Sequence, residues 1–276
     1  MCHFMSAIVM KNGDVLHHPM LDSHADILRH FEVRDGDAFR VNFAKVELTP
    51  NDNWLDPSTW AFKVDEQTIP DWLDQERARK RMEAIASKMI VSSGNKKMIV
   101  DGCWIVGGDA RVSGVRFGRI IRVQDQASIT GVGGRATIAG VRDHATIRDV
   151  WCQASITGVC GRATIEGVWD RATIAGVGDH ATIEGVGDHA TIRSVGGRAT
   201  IAGVCGHATI EGVWDHASIA GVGDQASIEG VRGHVTITDV GDHATIEGVR
   251  DHVTITDVGD HVTITDVSKT VVVYKA

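Results

Sequence analysis

Apolar residues recur at the fourth, sixth and ninth places of a nine-residue unit that repeats sixteen times, without insertion or deletion, over residues 124–267. Gly178-Asp179-His180-Ala181-Thr182-Ile183-Glu184-Gly185-Val186 is representative. Position 4 is Ala or Val, position 6 is always Ile, position 9 is always Val, and position 5 is always Thr or Ser. A repeat this strict buries its apolar columns only by stacking each unit on its neighbours, which predicts a solenoid with one continuous core. Side chains of a strand alternate faces, so Ala181 and Ile183 inward place Thr182 and Glu184 outward. Glycine at most eighth positions and Gly or Asp at the first two supply the freedom a bend needs. Each unit therefore reads as one short strand and one corner.

Two units close a coil of about 18 residues with strands on opposed faces, and eight such coils at about 4.8 Å make a rod about 38 Å long. A three-unit coil of about 27 residues is the alternative, hinted at by the echo of Gln126-Ala127-Ser128-Ile129-Thr130 in Gln153-Ala154-Ser155-Ile156-Thr157. The small Ala column suits the thinner, two-unit coil. Parallel connections wind right-handed. The expected fold class is mainly β: a right-handed parallel β-solenoid, with Ile165, Val168, Ile174, Val177, Ile183, Val186, Ile192 and Val195 in its core. Each such side chain contributes about 1.5 to 3 kcal/mol when fully buried.

Residues 1–97 have a different texture and read as an α+β domain that caps the first coil. Lys11-Asn12-Gly13-Asp14 is a hairpin turn signal. Ser23 precedes a first helix over residues 25–31, residues 39–48 alternate as a strand, and residues 61–64 supply a partner strand. A second helix begins at Pro70, with Trp72, Leu73, Met82, Ile85, Ala86 and Met89 on one stripe. Residues 98–123 read as irregular lead-in coils. Residues 268–276 form a C-terminal cap strand that keeps Val271 and Val273 inward between Lys269 and Lys275. Self-association through the N-terminal domain or this C-terminal edge is open.

Charge narrows the partners. The chain carries a formal net charge of −8, and carboxylates in the repeats outnumber the nine Arg by about two to one, which disfavours direct nucleic-acid binding. No basic start followed by a long apolar run marks a signal peptide, and no stretch approaches a membrane span of about 18 apolar residues. A cytoplasmic protein of a bacterial cell, away from the membrane, is the expectation. The five cysteines, Cys2, Cys103, Cys152, Cys160 and Cys205, are scattered, with no Cys-x-x-Cys pair, so neither disulfides nor structural zinc are expected. No cofactor and no metal are assigned.

Chemistry enters at the corners. Position 1 carries Trp151, Trp169 and Trp214, and position 3 carries Arg171, His180, His189 and His216 among nine histidines. Two readings are open. Most of these residue types are one nucleotide apart, as drift after recent tandem duplication would leave them; stacked Trp, Arg and His also make a partner-binding ridge. The His ladder lacks a fixed third ligand, which favours solvated corners over a metal array. Outward Thr columns raise ice binding, but position 7 mixes Glu, Arg, Ala and Thr. Stacked carboxylates raise a nucleic-acid-mimicking inhibitor of a DNA-binding or defence protein, with interleaved Arg against it. Cys2 with His17, His18 or His24 raises an N-terminal-nucleophile enzyme, without an oxyanion motif to support it. A non-enzymatic rigid scaffold or protein-interaction module is the leading reading.

Two resemblances bear on this. The run Gly176-Val177-Gly178-Asp179-His180-Ala181-Thr182-Ile183 is similar to the glycine-rich nonapeptide of RTX β-rolls in period and inward aliphatic. Ala181, Ala190 and Ala208 stand where that family places its calcium Asp, so calcium binding is not carried over. The whole chain resembles a group of bacteriophage and prophage proteins through Met1-Cys2-x-Phe4, Gly13-Asp14-Val15-Leu16, Asp22-Ser23-His24, Lys45-Val46-Glu47, and Val64-Asp65-Glu66 before Pro70-x-Trp72. That likeness implies an N-terminal α+β domain followed by a nonapeptide solenoid, and a phage-related origin.

Overall fold

A computed structural model describes residues 5–33, 42–241, 243–268 and 270–275. The chain divides into two compact units, Met1–Ile90 and Val91–Ala276.

In the first unit, β1 (Met5–Met10), β2 (Val15–Leu16), β3 (Phe43–Thr49) and β4 (Ala61–Val64) form an antiparallel sheet in the order β2-β1-β3-β4. The hairpin turn forms where the sequence signals it: Gly13 has φ +89° and the Asp14 amide donates to Asn12 Oδ1 at 3.0 Å. Helix α1 (His24–His30) follows Ser23, whose hydroxyl makes no capping bond. Helix α2 (Gln75–Ser87) starts later than Pro70. Residues 70–73 instead make a turn closed by Leu73 N–H to Pro70 O, and Asp74 caps α2 by accepting from the Arg77 amide, so Trp72 and Leu73 precede the helical stripe. Residues 39–41 of the expected strand lie outside the described residues. Trp60, Met82, Leu48 and Ile8 are buried in this unit.

The second unit is a parallel β-solenoid of two facing 11-stranded sheets. The first sheet includes Ser128–Val132, Thr146–Val150, Thr164–Val168 and Thr182–Val186; the second includes Thr137–Val141, Ser155–Val159, Thr173–Val177 and Thr191–Val195. Ile165 pairs with Ile183 and Ile183 with Ile201, a step of 18 residues. That register is the two-unit coil and excludes the three-unit one. Val91, Val106, Ala110, Val112 and Val115 join the same core, and strands at Cys103–Val106, Arg111–Val112 and Arg119–Val123 pair in sequence with the repeats. Ala110, Val112 and Val115 already keep the inward spacing of the unit, so coiling starts before the strict nonapeptides do. Among the described residues no helix is long and apolar enough to cross a membrane.

Each repeat strand covers positions 5 to 9, and its inward columns do not follow simple alternation. Ile183 and Val186 are both fully buried although three residues apart. Position 8 resolves the mismatch: in all sixteen units, from Gly131 to Asp266, its φ is positive, between 49° and 90°. A left-handed residue there spends one place on the outside and turns the following Val inward. This is why Gly dominates the position and why Asp149, Ser194 and Asp239, rather than β-branched residues, stand in for it.

Candidate functional site

The coil has two corners, and each is a tight turn spanning positions 1 to 4. The corner Gly178-Asp179-His180 closes through Ala181 N–H to Gly178 O at 3.1 Å and leads into the first sheet; Gly187-Asp188-His189 leads into the second. Position 2 is left-handed in every unit from Asp125 to Asp224, with φ between 53° and 71°. Its carboxylate has a fixed partner. Asp179 Oδ2 accepts from the Gly161 amide at 3.0 Å, and Asp143, Asp170, Asp188, Asp215, Asp224 and Asp251 bond the amide 18 residues earlier in the same way. The Asp ladder therefore stitches coil to coil and satisfies corner N–H groups that the strand ladders leave out. Sequence reasoning took these aspartates as turn formers and missed the stitching, which becomes visible only once the 18-residue step is known.

The singled-out corner residues fall on two lines. Trp151, Trp169, Arg171 and His189 lie on the corner entering the second sheet. His180, Trp214 and His216 lie on the corner entering the first. One ridge does not hold all seven.

On the second-sheet corner, position 1 runs Gly133, Trp151, Trp169, Gly187 over four successive coils. The Trp151 indole spreads over Gly133 and the Trp169 ring over Gly187, where an added Cβ would collide with them. Both indoles remain 38% exposed. They make an aromatic plate spanning roughly 14 Å at the coil pitch of about 4.8 Å. Beside it a groove of about 710 Å³ is lined by Phe117, Arg135, Gln153, Arg171 and His189, and Phe117 is 58% exposed. Phe117 and Arg135 were not singled out from sequence; Phe117 lies before the strict repeat, and Arg135 shares its corner with Arg171, two coils away, which only the 18-residue step reveals.

The first-sheet corner is built differently. Trp214 covers Gly196, and the Arg232 guanidinium sits over its ring at 5.7 Å, a cation–π contact. A groove of about 560 Å³ here is lined by Arg198, His216, His234 and Asp251 among others. His216, His234 and His252 stack at 5.2 and 5.1 Å between ring centroids. On the other corner His189 stacks on His207, also at 5.1 Å.

The remaining chemistry is scattered. Cys152 is exposed and Cys160 and Cys205 half-buried; burial, with Asp224 and Asp188 adding to it, pushes the Cys205 thiol up and away from thiolate reactivity. Cys2 lies outside the described residues. On the strand faces Arg148 pairs with Glu166 at 2.8 Å and Arg193 with Glu211 at 3.0 Å, each across one coil step. Thr236 and Thr254 are adjacent in the first sheet while Thr263 belongs to the second, so the paired Thr columns split between faces. No family model, curated protein or solved structure matches this chain.

Proposed function

We propose that the protein is a non-enzymatic, phage-encoded rod that acts in the bacterial host cytoplasm as a rigid protein-interaction module. Its binding edge is the corner carrying Trp151 and Trp169. One observation carries this reading: two half-exposed indoles on adjacent coils cover neighbouring glycines beside a groove lined by Phe117, Arg135 and Arg171. Aromatic and Arg side chains on a preorganised surface are the commonest anchors of protein interfaces, because they bury much area and lose little freedom. Trp214 is a weaker anchor, since Arg232 already covers it. The nucleic-acid mimic draws less support, because position-2 carboxylates are spent on backbone amides and Arg148 and Arg193 neutralise neighbouring Glu.

The test is capture from a bacterial host extract with the intact chain, with Trp151→Gly/Trp169→Gly, and with Trp214→Gly. Gly is native at position 1 of many units, so neither variant disturbs the turn. A specific partner retained by Trp214→Gly and lost by the double variant supports the edge. Retention by both variants sinks it, and so does the absence of any specific partner for the intact chain.

A further inference from the structure

The first unit brings three side chains with metal-ligand chemistry to one point from three separate elements. His24 opens α1, Glu47 lies in β3, and Asp65 directly follows β4. One ligand atom from each lies within 4.8 Å of the other two. Glu47 is 7% exposed, and the His24 and Asp65 side chains are 11% and 45% exposed, so the cluster is buried on two sides and open on the third.

The orientation of His24 decides what this cluster can do. Its Nε2 lies 3.1 Å from the Val46 carbonyl oxygen. A carbonyl only accepts, so Nε2 carries a hydrogen, and Nδ1 is the ring nitrogen left facing the carboxylates. Nδ1 is 3.6 Å from Asp65 Oδ2. Lys63 holds the other Asp65 oxygen at 3.3 Å, which leaves Oδ2 to face the cluster. An imidazole fixed through its far nitrogen by a backbone carbonyl is the outer-shell arrangement that metal-binding histidines use. Carboxylates from β3 and from the end of β4 complete a mixed nitrogen and oxygen donor set, which suits a borderline divalent ion.

We propose that His24 Nδ1, Glu47 and Asp65 bind one divalent transition-metal ion of the Zn²⁺ class, with a further coordination position opening to solvent on the Asp65 side. The site is independent of the Trp-bearing corner. Its ligands come from residues 24, 47 and 65, far from the repeats in sequence, and it gives the first unit a binding function of its own.

The exposed corner histidines are competing imidazoles, so the test reads the tight first equivalent and not total uptake. The full chain, stripped with a chelator, is titrated with Zn²⁺ against a competing indicator, alongside Asp65→Asn and Glu47→Gln. The intact chain is expected to hold one equivalent about 100-fold more tightly than either variant, on the scale of losses when a metal's supporting groups are removed. Asp65 is the more exposed ligand, so Asp65→Asn keeps the test interpretable where Glu47→Gln unfolds the unit. In the intact chain, imidazole ¹⁵N resonances at one equivalent of Zn²⁺ should show the His24 Nδ1 signal moving first. Equal titrations for the intact chain and Asp65→Asn, or a first equivalent that shifts only corner histidines, would overturn the site.

Discussion

In the coils, the inward Ile and Val of positions 6 and 9 meet copies of themselves one step above and below, whereas the antiparallel unit pairs mostly unlike residues. Ile183 sits between Ile165 and Ile201 in register; β1 instead sets Met5 opposite Leu48 and Val9 opposite Ala44. The consequence of a substitution in the solenoid should therefore depend on its column and hardly at all on its unit. In the first unit it should depend on the individual site.

The sharpest way to break that comparison is to charge a column. Ile183 is fully buried, so Ile183→Asp should cost about 4 kcal/mol or more, while His180→Asp at an exposed corner should stay within about 0.5 kcal/mol. Denaturant midpoints of the two variants measure the contrast. Hydrogen exchange should lose protection first in the coils next to residue 183, since repeat stability is passed between neighbours. Equal losses in the two variants would mean that columns do not govern stability.

A smaller effect is expected at position 2. Asp179→Ala removes the acceptor for the Gly161 amide, worth about 1 kcal/mol, and forces Ala into a left-handed conformation at a further cost of about 1 to 2 kcal/mol. Asp179→Gly should lose only the hydrogen bond. Urea unfolding that ranks Ala no worse than Gly would remove the conformational half of this account.

The smallest expected effect belongs to the first unit and depends on pH. His17 donates from Nδ1 to the Ser6 carbonyl at 3.2 Å, and its buried Nε2 has no partner among the described residues. Burial, followed by the charge of His18, outweighs the Ser6 bond and holds the imidazole below its ordinary value of 6.5. The unfolded chain then takes up a proton near pH 6.5 that the folded chain refuses, so stability is retained above that value and declines as pH falls below it. His17→Leu should flatten this slope in pH-dependent melting of the first unit. An unchanged slope would assign the acid sensitivity to other groups.

The contrast also sets what can be read from sequence. Three columns at fixed spacing identify a solenoid because position 6 is always Ile and position 9 always Val, and the small Ala column points to thin, two-unit coils. The left-handed backbone at position 8 could be inferred only in part: Gly185 suggests it, but Asp149 and Ser194 do not announce that they share it. Which corner a Trp occupies follows from counting units modulo two, a step that needs the coil size first. In the first unit Pro70 looks like a helix start, yet Asp74, four residues on, captures the Arg77 amide and takes that role. His24, Glu47 and Asp65 are separated by more than 15 residues each, and no spacing rule links them; the pairing of β3 with β4 and the placement of α1 do.

The 18-residue step gives the tandem array a parity. Adding or deleting one nonapeptide would preserve every apolar column, because each unit fits either face, yet it would move all downstream strands to the opposite sheet and exchange the edges on which Trp, Arg and His stand. Gain or loss of a pair leaves both edges as they were. Growth of the array by even steps lengthens the solenoid and keeps its Trp-bearing edge; growth by odd steps rewires that edge while the core stays intact.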